Sequence, residues 1–200
     1  MPTQLRPALV LLIALTALTG LAYPLAMTGL AGLAFPSQAA GSIVLRDGKP
    51  VGSILIGQAF AGARYFQGRP SATSAADPAD PAKTVPAPYN AANSSGSNLG
   101  PTSAALAERV GADLARLKAE NPGVPVPVDL VTTSGSGLDP DLSPAAALFQ
   151  VKRVAAARGL PEPAVRDLVE GQVRGRWLGI LGEPRVNVLA LNLALDGLAK

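Results

Sequence analysis

A chain of 200 residues with no Cys and no His excludes disulfides, thiolate metal sites, imidazole bases and Ser-His-Asp triads, and nearly every zinc site. The formal net charge of +3 is spread without blocks or aromatic interleaving, which argues against a nucleic-acid partner. With 21 Gly and 19 Pro against one Trp, three Tyr and four Phe, the composition points to a loop-rich domain with a modest core of Leu, Val and Ala.

No charge lies between Arg6 and Arg46. The segment Ala8 to Thr28 spans roughly 31 Å as a helix, the thickness of a bilayer's hydrocarbon core. Its Leu, Ile and Val residues favour insertion by about 3–5 kcal/mol. A cleaved signal peptide ending near Ser37 to Ala40 is the competing reading, but signal cores are shorter than this apolar run. The expected organisation is therefore a cytoplasmic N-terminus over residues 1–7, a transmembrane helix over 8–28, a linker over 29–41 and an extracytoplasmic domain over 42–200. The orientation follows from Arg6 behind the span. Thr16, Gly20 and Pro24 fall at i, i+4 and i+8, one small face where a partner helix could approach; plain contact with lipid is the alternative.

In the soluble part, Ser42 to Gly57 places two β-rich runs around Asp47-Gly48, a hairpin signal. The Pro/Ser/Ala/Asn stretch from Gly68 to Pro101 reads equally as a functional loop or a linker. Thr102 to Glu120 predicts a helix capped by Thr102 or Ser103, with Leu106, Val110, Leu114 and Leu117 on one stripe and Asn121-Pro122-Gly123 as its stop. Val124 to Thr133 predicts a strand. A helix opens at Ser143-Pro144 and closes at Gly159, and another runs from Pro161 to about Arg174. Val186 to Lys200 fits either period, with Asn187 as a cap and the Ala/Leu content favouring helix. The fold class is α+β: one N-terminal transmembrane helix, then a single domain with a small antiparallel sheet and three or four helices.

Three groups of residues are candidates for function. The loop Ser134, Gly135, Ser136, Gly137, Leu138 and Asp139 lies between a predicted strand and a helix, where backbone N–H groups can face an anion. It lacks the Lys of a phosphate loop, and Asp139 and Asp141 read more readily as turn formers than as ligands for a hard cation. Tyr65 to Ala72 and Tyr89 to Thr102 are dense in Tyr, Asn and Ser, including Tyr89, Asn90, Ser97 and Asn98, as in hydrogen-bonded loops or interaction surfaces. Arg69 has no local partner in sequence and is expected to pair across the fold or with another subunit. Trp177 takes a half-buried packing role by default. Metal ligands, paired acids and activated nucleophiles are not expected, so an anchored accessory or binding domain fits better than an enzyme.

In order, Gly52 to Phe60, Tyr65 to Ala72, Tyr89 to Thr102, Val126 to Leu160 and Gly182 to Asp196, behind an apolar N-terminus, resemble the C-subunit family of the bacterial Kdp potassium-transporting P-type ATPases. The resemblance implies a single-pass, non-catalytic subunit in the inner membrane. Its implied partners are a pore-forming potassium-binding subunit, an ATP-hydrolysing subunit and a very small helical one. It implies no firmly bound cofactor, potassium as the transported ion, and a catalytic-chaperone role that promotes ATP binding by the partner. Ser134 to Asp139 and Gln150 are the nucleotide contacts carried over from it. Asp141, and a position near Gln172, depart from the family by lacking a His. A domain outside the cytoplasm cannot meet cytosolic ATP, so any nucleotide role there is indirect. The alternative is a free-standing, membrane-anchored periplasmic binding protein.

Overall fold

The computed structural model describes residues 2–198; Met1 and the last two residues of the predicted C-terminal helix, Ala199 and Lys200, lie outside the described residues. The chain divides into two compact units, Met1–Val51 and Gly52–Lys200.

The first unit is built on an apolar helix, Leu5–Ala34, of 30 residues with a mean hydropathy of 2.1 and no buried residue, long and apolar enough to cross a membrane. It consists of α1 (Leu5–Ala17), a wider π turn (Leu18–Ala22) and α2 (Tyr23–Ala34). The widening has a local cause. Pro24 brings no N–H to the ladder, and the Tyr23 N–H reaches back five residues to the Leu18 carbonyl. Thr19 and Thr28 bond their hydroxyls to the Leu15 and Pro24 carbonyls at 2.7 and 2.8 Å, which suits a helix side in lipid. Thr16, Gly20 and Pro24 are all exposed on it. After the single turn α3 (Pro36–Ala39), strands β1 (Ile43–Arg46) and β2 (Lys49–Ser53) pair as the predicted hairpin. Asp47 and Gly48 turn it with φ of 52° and 74°, the two positive values that a two-residue turn of this hand requires.

The second unit follows the α+β expectation, with corrections. Its strands form two separate antiparallel pairs: β3 (Ser74–Ala76) with β4 (Thr84–Pro86), and β5 (Asp141–Leu142) with β6 (Val186–Asn187). With β1–β2 that makes three two-stranded sheets among the described residues, where one small sheet was expected. Helix α4 (Ala104–Glu120) is capped by Ser103, whose hydroxyl accepts from the Leu106 N–H, and stops at Asn121. Val124 to Thr133 is not a strand. Its only regular piece is a 3-10 turn at Val128–Leu130, because Pro122, Pro125 and Pro127 remove the donors a ladder needs.

The helix expected from Ser143 to Gly159 is two: α5 (Pro144–Phe149) and α6 (Val151–Arg158), offset at Gln150. Its end signals act as predicted, with the Ser143 hydroxyl accepting from the Ala146 N–H and Gly159 closing at φ 67°. Helix α7 (Glu162–Gly171) ends before Arg174, and α8 (Val188–Leu198) takes the helical option, with Asn187 accepting from the Ala190 N–H at 3.0 Å. The core joins Leu117, Leu130, Ala146, Val151, Val154, Val165, Val169, Val186, Leu191 and Leu195 with two aromatic rings, Phe149 and the fully buried Phe66. Trp177 takes no part in it. It is 68 % exposed, contrary to the packing role expected of a lone Trp.

Candidate functional site

Residues Gly62 to Ala72 pass through the second unit almost without regular structure, so their backbone groups need other partners. Side-chain amides supply them. The Asn192 amide accepts from the Phe66 N–H and donates to the Phe66 carbonyl, both at 2.9 Å. One residue on, the Gln150 amide accepts from the Gln67 N–H at 2.8 Å and donates to the Gln67 carbonyl at 3.0 Å. Helix α8 and the α5–α6 junction thus grip successive residues much as two neighbouring strands would. Arg153 extends the grip to the Ala63 and Tyr65 carbonyls, and Arg158 to that of Arg64.

Gln150 sits at the hub of this arrangement and is buried. Its oxygen also accepts from Arg153 at 2.6 Å, and its nitrogen also donates to the Ala146 carbonyl at 3.3 Å. Two acceptor and two donor positions are the whole capacity of an amide, and all four are used inside the chain.

The Ser134–Asp139 loop is brought against both Tyr/Asn/Ser segments. Ser136 accepts at its carbonyl from the Ser95 N–H and the Ser94 hydroxyl, at 2.9 and 3.1 Å. The Gly137 carbonyl accepts from the Ser71 hydroxyl at 2.7 Å and the Leu138 carbonyl from the Gly57 N–H at 2.8 Å. Two loop N–H groups point inward: Gly137 bonds the Ser134 carbonyl and Leu138 the Ser136 hydroxyl. Gly135 passes close to Gly96, where an added Cβ would stand 2.9 Å from the Gly135 carbonyl oxygen. Small residues here serve close backbone packing. Ser97 receives the Thr133 hydroxyl at 3.3 Å, Asn90 donates to the Ser74 carbonyl, and Asn98 sits at φ 51°.

Arg69 finds its partner across the fold. Its guanidinium pairs with Asp139 at 2.8 Å, 70 residues away, and reaches the Thr133 carbonyl at 3.3 Å. The Tyr89 hydroxyl donates to the Arg69 carbonyl at 2.7 Å, and its ring covers Gly57 and Gly68, which leave no room for a Cβ beneath it. Thr73 and Ser71 complete the knot: Thr73 donates to the Ala87 carbonyl, and the Ser71 hydroxyl accepts from the Tyr89 N–H. Thr73, Arg153 and Asn192 were missed in sequence, whereas Ser71 fell inside the Tyr65 to Ala72 segment. Asn192 carries the one usable signal, a polar residue inside the otherwise apolar run from Val188 to Leu195, which must find partners when buried.

A cavity of about 370 Å³ lies beside this knot, lined by Phe60, Gln67, Arg69, Tyr89, Asp113, Arg116, Glu120 and Arg153 among others. Its charges are matched locally, with Arg116 on Asp113 at 3.4 Å, Arg153 on Glu120 at 2.8 Å and Arg69 on Asp139. Among the described residues no group of three or more Asp or Glu is placed to hold a metal ion. A second concavity of about 290 Å³ includes Asp129, Asp139 and Asp141. These carboxylates are engaged too: Asp129 accepts from Ser143, Asp139 from Arg69 and the Asp141 N–H, and Asp141 from Arg185 and Asn187.

Burial pushes the Tyr89 phenol up to about 12, with the Asp139 carboxylate adding to the rise and Arg69 opposing it. The fold therefore favours the neutral phenol. Its contribution to stability is complete below the ordinary value of 10 and is lost as pH climbs from 10 towards 12. About 2–3 kcal/mol is expected to disappear across that window. Urea titrations at pH 9 and pH 11.5 would measure it, and Tyr89→Phe should flatten the alkaline decline.

A family model described as "K+-transporting ATPase, c chain" matches residues 5–197. The chain is 76 % identical over 200 residues, all of both chains, to the potassium-transporting ATPase KdpC subunit of Methylorubrum extorquens. It is 75 % identical over 196 residues to that of Methylobacterium nodulans, covering 98 % of each chain. To that of Rhodopseudomonas palustris it is 68 % identical over 193 residues, covering 96 % of each. The resemblance carried by five short motifs thus extends over the full length, and the chain belongs to the KdpC family, the c chain of potassium-transporting ATPases.

Proposed function

We propose that this chain is a membrane-anchored accessory subunit of a potassium-importing ATPase, and that a partner subunit hydrolyses the ATP. The observation that carries this reading is full-length similarity to relatives named as a subunit of that ATPase. The site adds to it. Gln150 is committed to Gln67, Ala146 and Arg153, Arg69 to Asp139, and the Ser136, Gly137 and Leu138 carbonyls to neighbouring loops, as suits a rigid scaffold more than a reacting centre. The partners are the pore-forming potassium-binding subunit, the ATP-hydrolysing subunit and a very small helical subunit.

The Leu5–Ala34 helix anchors the chain in the inner membrane, with its N-terminus in the cytoplasm and the second unit outside. In that orientation a chaperone effect on ATP binding is transmitted through subunit contacts rather than through a nucleotide held by Ser134–Asp139 and Gln150. Chain purified through a tag should bring down two large membrane subunits. Recovery as a monodisperse monomer carrying a small molecule would instead support an anchored binding protein. Because the chain lacks Cys, Ala75→Cys gives one labelling site in the second unit. Labelling of intact cells by an impermeant maleimide supports the orientation, and labelling only after the cytoplasm is opened overturns it.

A further inference from the structure

Between α7 and β6 the chain makes a finger that no function discussed so far uses. Arg174 and Arg185 exchange backbone bonds at 2.8 and 3.0 Å, and Trp177 and Leu181 do the same at 2.8 and 3.0 Å nearer the tip. Leu178, Gly179 and Gly182 at φ of 51°, 76° and 79° turn the chain. The stem runs directly into β6, so the finger is mounted on the β5–β6 pair.

Its tip is apolar and open: Trp177, Leu178, Ile180 and Leu181 are each more than half exposed. Other exposed large apolar residues of this unit stand singly, as Leu99, Val124 and Val128 do, or as the pair Leu55 and Ile56. Four within five positions is a patch on the order of several hundred Å², the size that marks an interaction surface. Charge narrows the kind of partner. Arg176 is held by Glu183 at 2.7 Å and Arg185 by Asp141 at 2.9 Å, whereas Arg174 is exposed and has no ion pair among the described residues.

We propose that the Trp177–Leu181 tip docks this chain onto another subunit of the transport assembly, filling an apolar recess that has a carboxylate at its edge for Arg174. This rests on the reading of the chain as an assembly subunit. A protein recess suits the finger better than lipid for three reasons. The turn is held by paired backbone bonds, and a fixed shape favours a shaped receptor because little ordering is left to do on binding. Glu183 beside the tip would be carried towards lipid headgroups. The 30-residue apolar helix already anchors the chain, so four more apolar side chains add little to its hold on the membrane.

The test uses the full chain expressed with its assembly. Ile180→p-benzoylphenylalanine, irradiated in native membranes, should cross-link to a subunit that co-purifies with the wild-type chain. The double variant Trp177→Ala, Ile180→Ala should weaken that association on the order of 30-fold or more, as loss of a central Trp anchor does. Its thermal unfolding should stay at the wild-type temperature, since neither side chain is buried. Cross-links to lipid alone or to a second copy of this chain, or unchanged association in the double variant, overturn the proposal while leaving the subunit reading intact. A wild-type chain that brings down no subunit overturns both.

Discussion

Replacing Asn192 by Leu is expected to destabilise the second unit by about 3–5 kcal/mol, although the new side chain is apolar, similar in size and placed in an apolar helix. Asn192 is 2 % exposed, and Phe66, whose backbone it holds, is fully buried. The variant strands one N–H and one carbonyl at Phe66, and each such group left unpaired away from water costs about 1–3 kcal/mol. A hydropathy argument gives the opposite sign, so the experiment separates the two accounts. Urea unfolding of the full chain in detergent, followed by far-UV circular dichroism, measures it; a loss below about 1 kcal/mol would mean that Phe66 finds other partners. Gln150→Leu should act in the same way on Gln67. Because both amides hold one extended segment, releasing it at one residue weakens the hold at the next. The double variant should therefore lose less than the two single losses added together.

What could be read in the sequence was what lies close along the chain. Ser103, Ser143, Asn187 and Gly159 mark helix ends through bonds to residues three or four away, and Asp47-Gly48 closes its own turn. Val124 to Thr133 went wrong because two local signals compete there, the β-preference of Val against the missing donors of Pro, and the prolines prevail. Asn192 was missed, because its partner Phe66 lies 126 positions away. Gln67 and Gln150 are 83 apart and Arg69 and Asp139 are 70 apart. Separations of that length leave no local pattern, so a cross-fold partner for Arg69 was expected without its identity. Arg69, Tyr89, Asp139, Gln150 and the Ser134–Asp139 loop do converge, and what brings them together is mutual satisfaction of polar groups. Trp177 was misplaced because packing is the usual fate of a lone Trp in a single folded domain, whereas here it stands in the exposed turn between α7 and β6.

Gly137→Ala provides the sharpest test of whether the Ser134–Asp139 loop is built for packing. Gly137 adopts φ +68°, where an L side chain costs about 1–2 kcal/mol. An added Cβ would also stand 2.6 Å from the Ser95 carbonyl oxygen, a backbone atom that cannot rotate aside. That oxygen belongs to the same junction as the Ser95 N–H bond to Ser136, so yielding there loosens two loops at once. A loss of about 3 kcal/mol or more is expected. Gly135→Ala, two residues earlier, is the control: its φ is not positive and an added Cβ meets nothing within 4 Å. It should shift stability by no more than about 0.5 kcal/mol. The two readings of the loop then diverge in activity. If Gly135 is glycine so that a phosphate can approach its backbone, Gly135→Ala lowers the apparent ATP affinity of the purified assembly while the chain stays folded. If the loop is a joint, that variant keeps wild-type potassium-dependent ATPase activity and only Gly137→Ala lowers the yield of assembled complex. The inward-turned carbonyls of Ser136, Gly137 and Leu138 favour the second outcome.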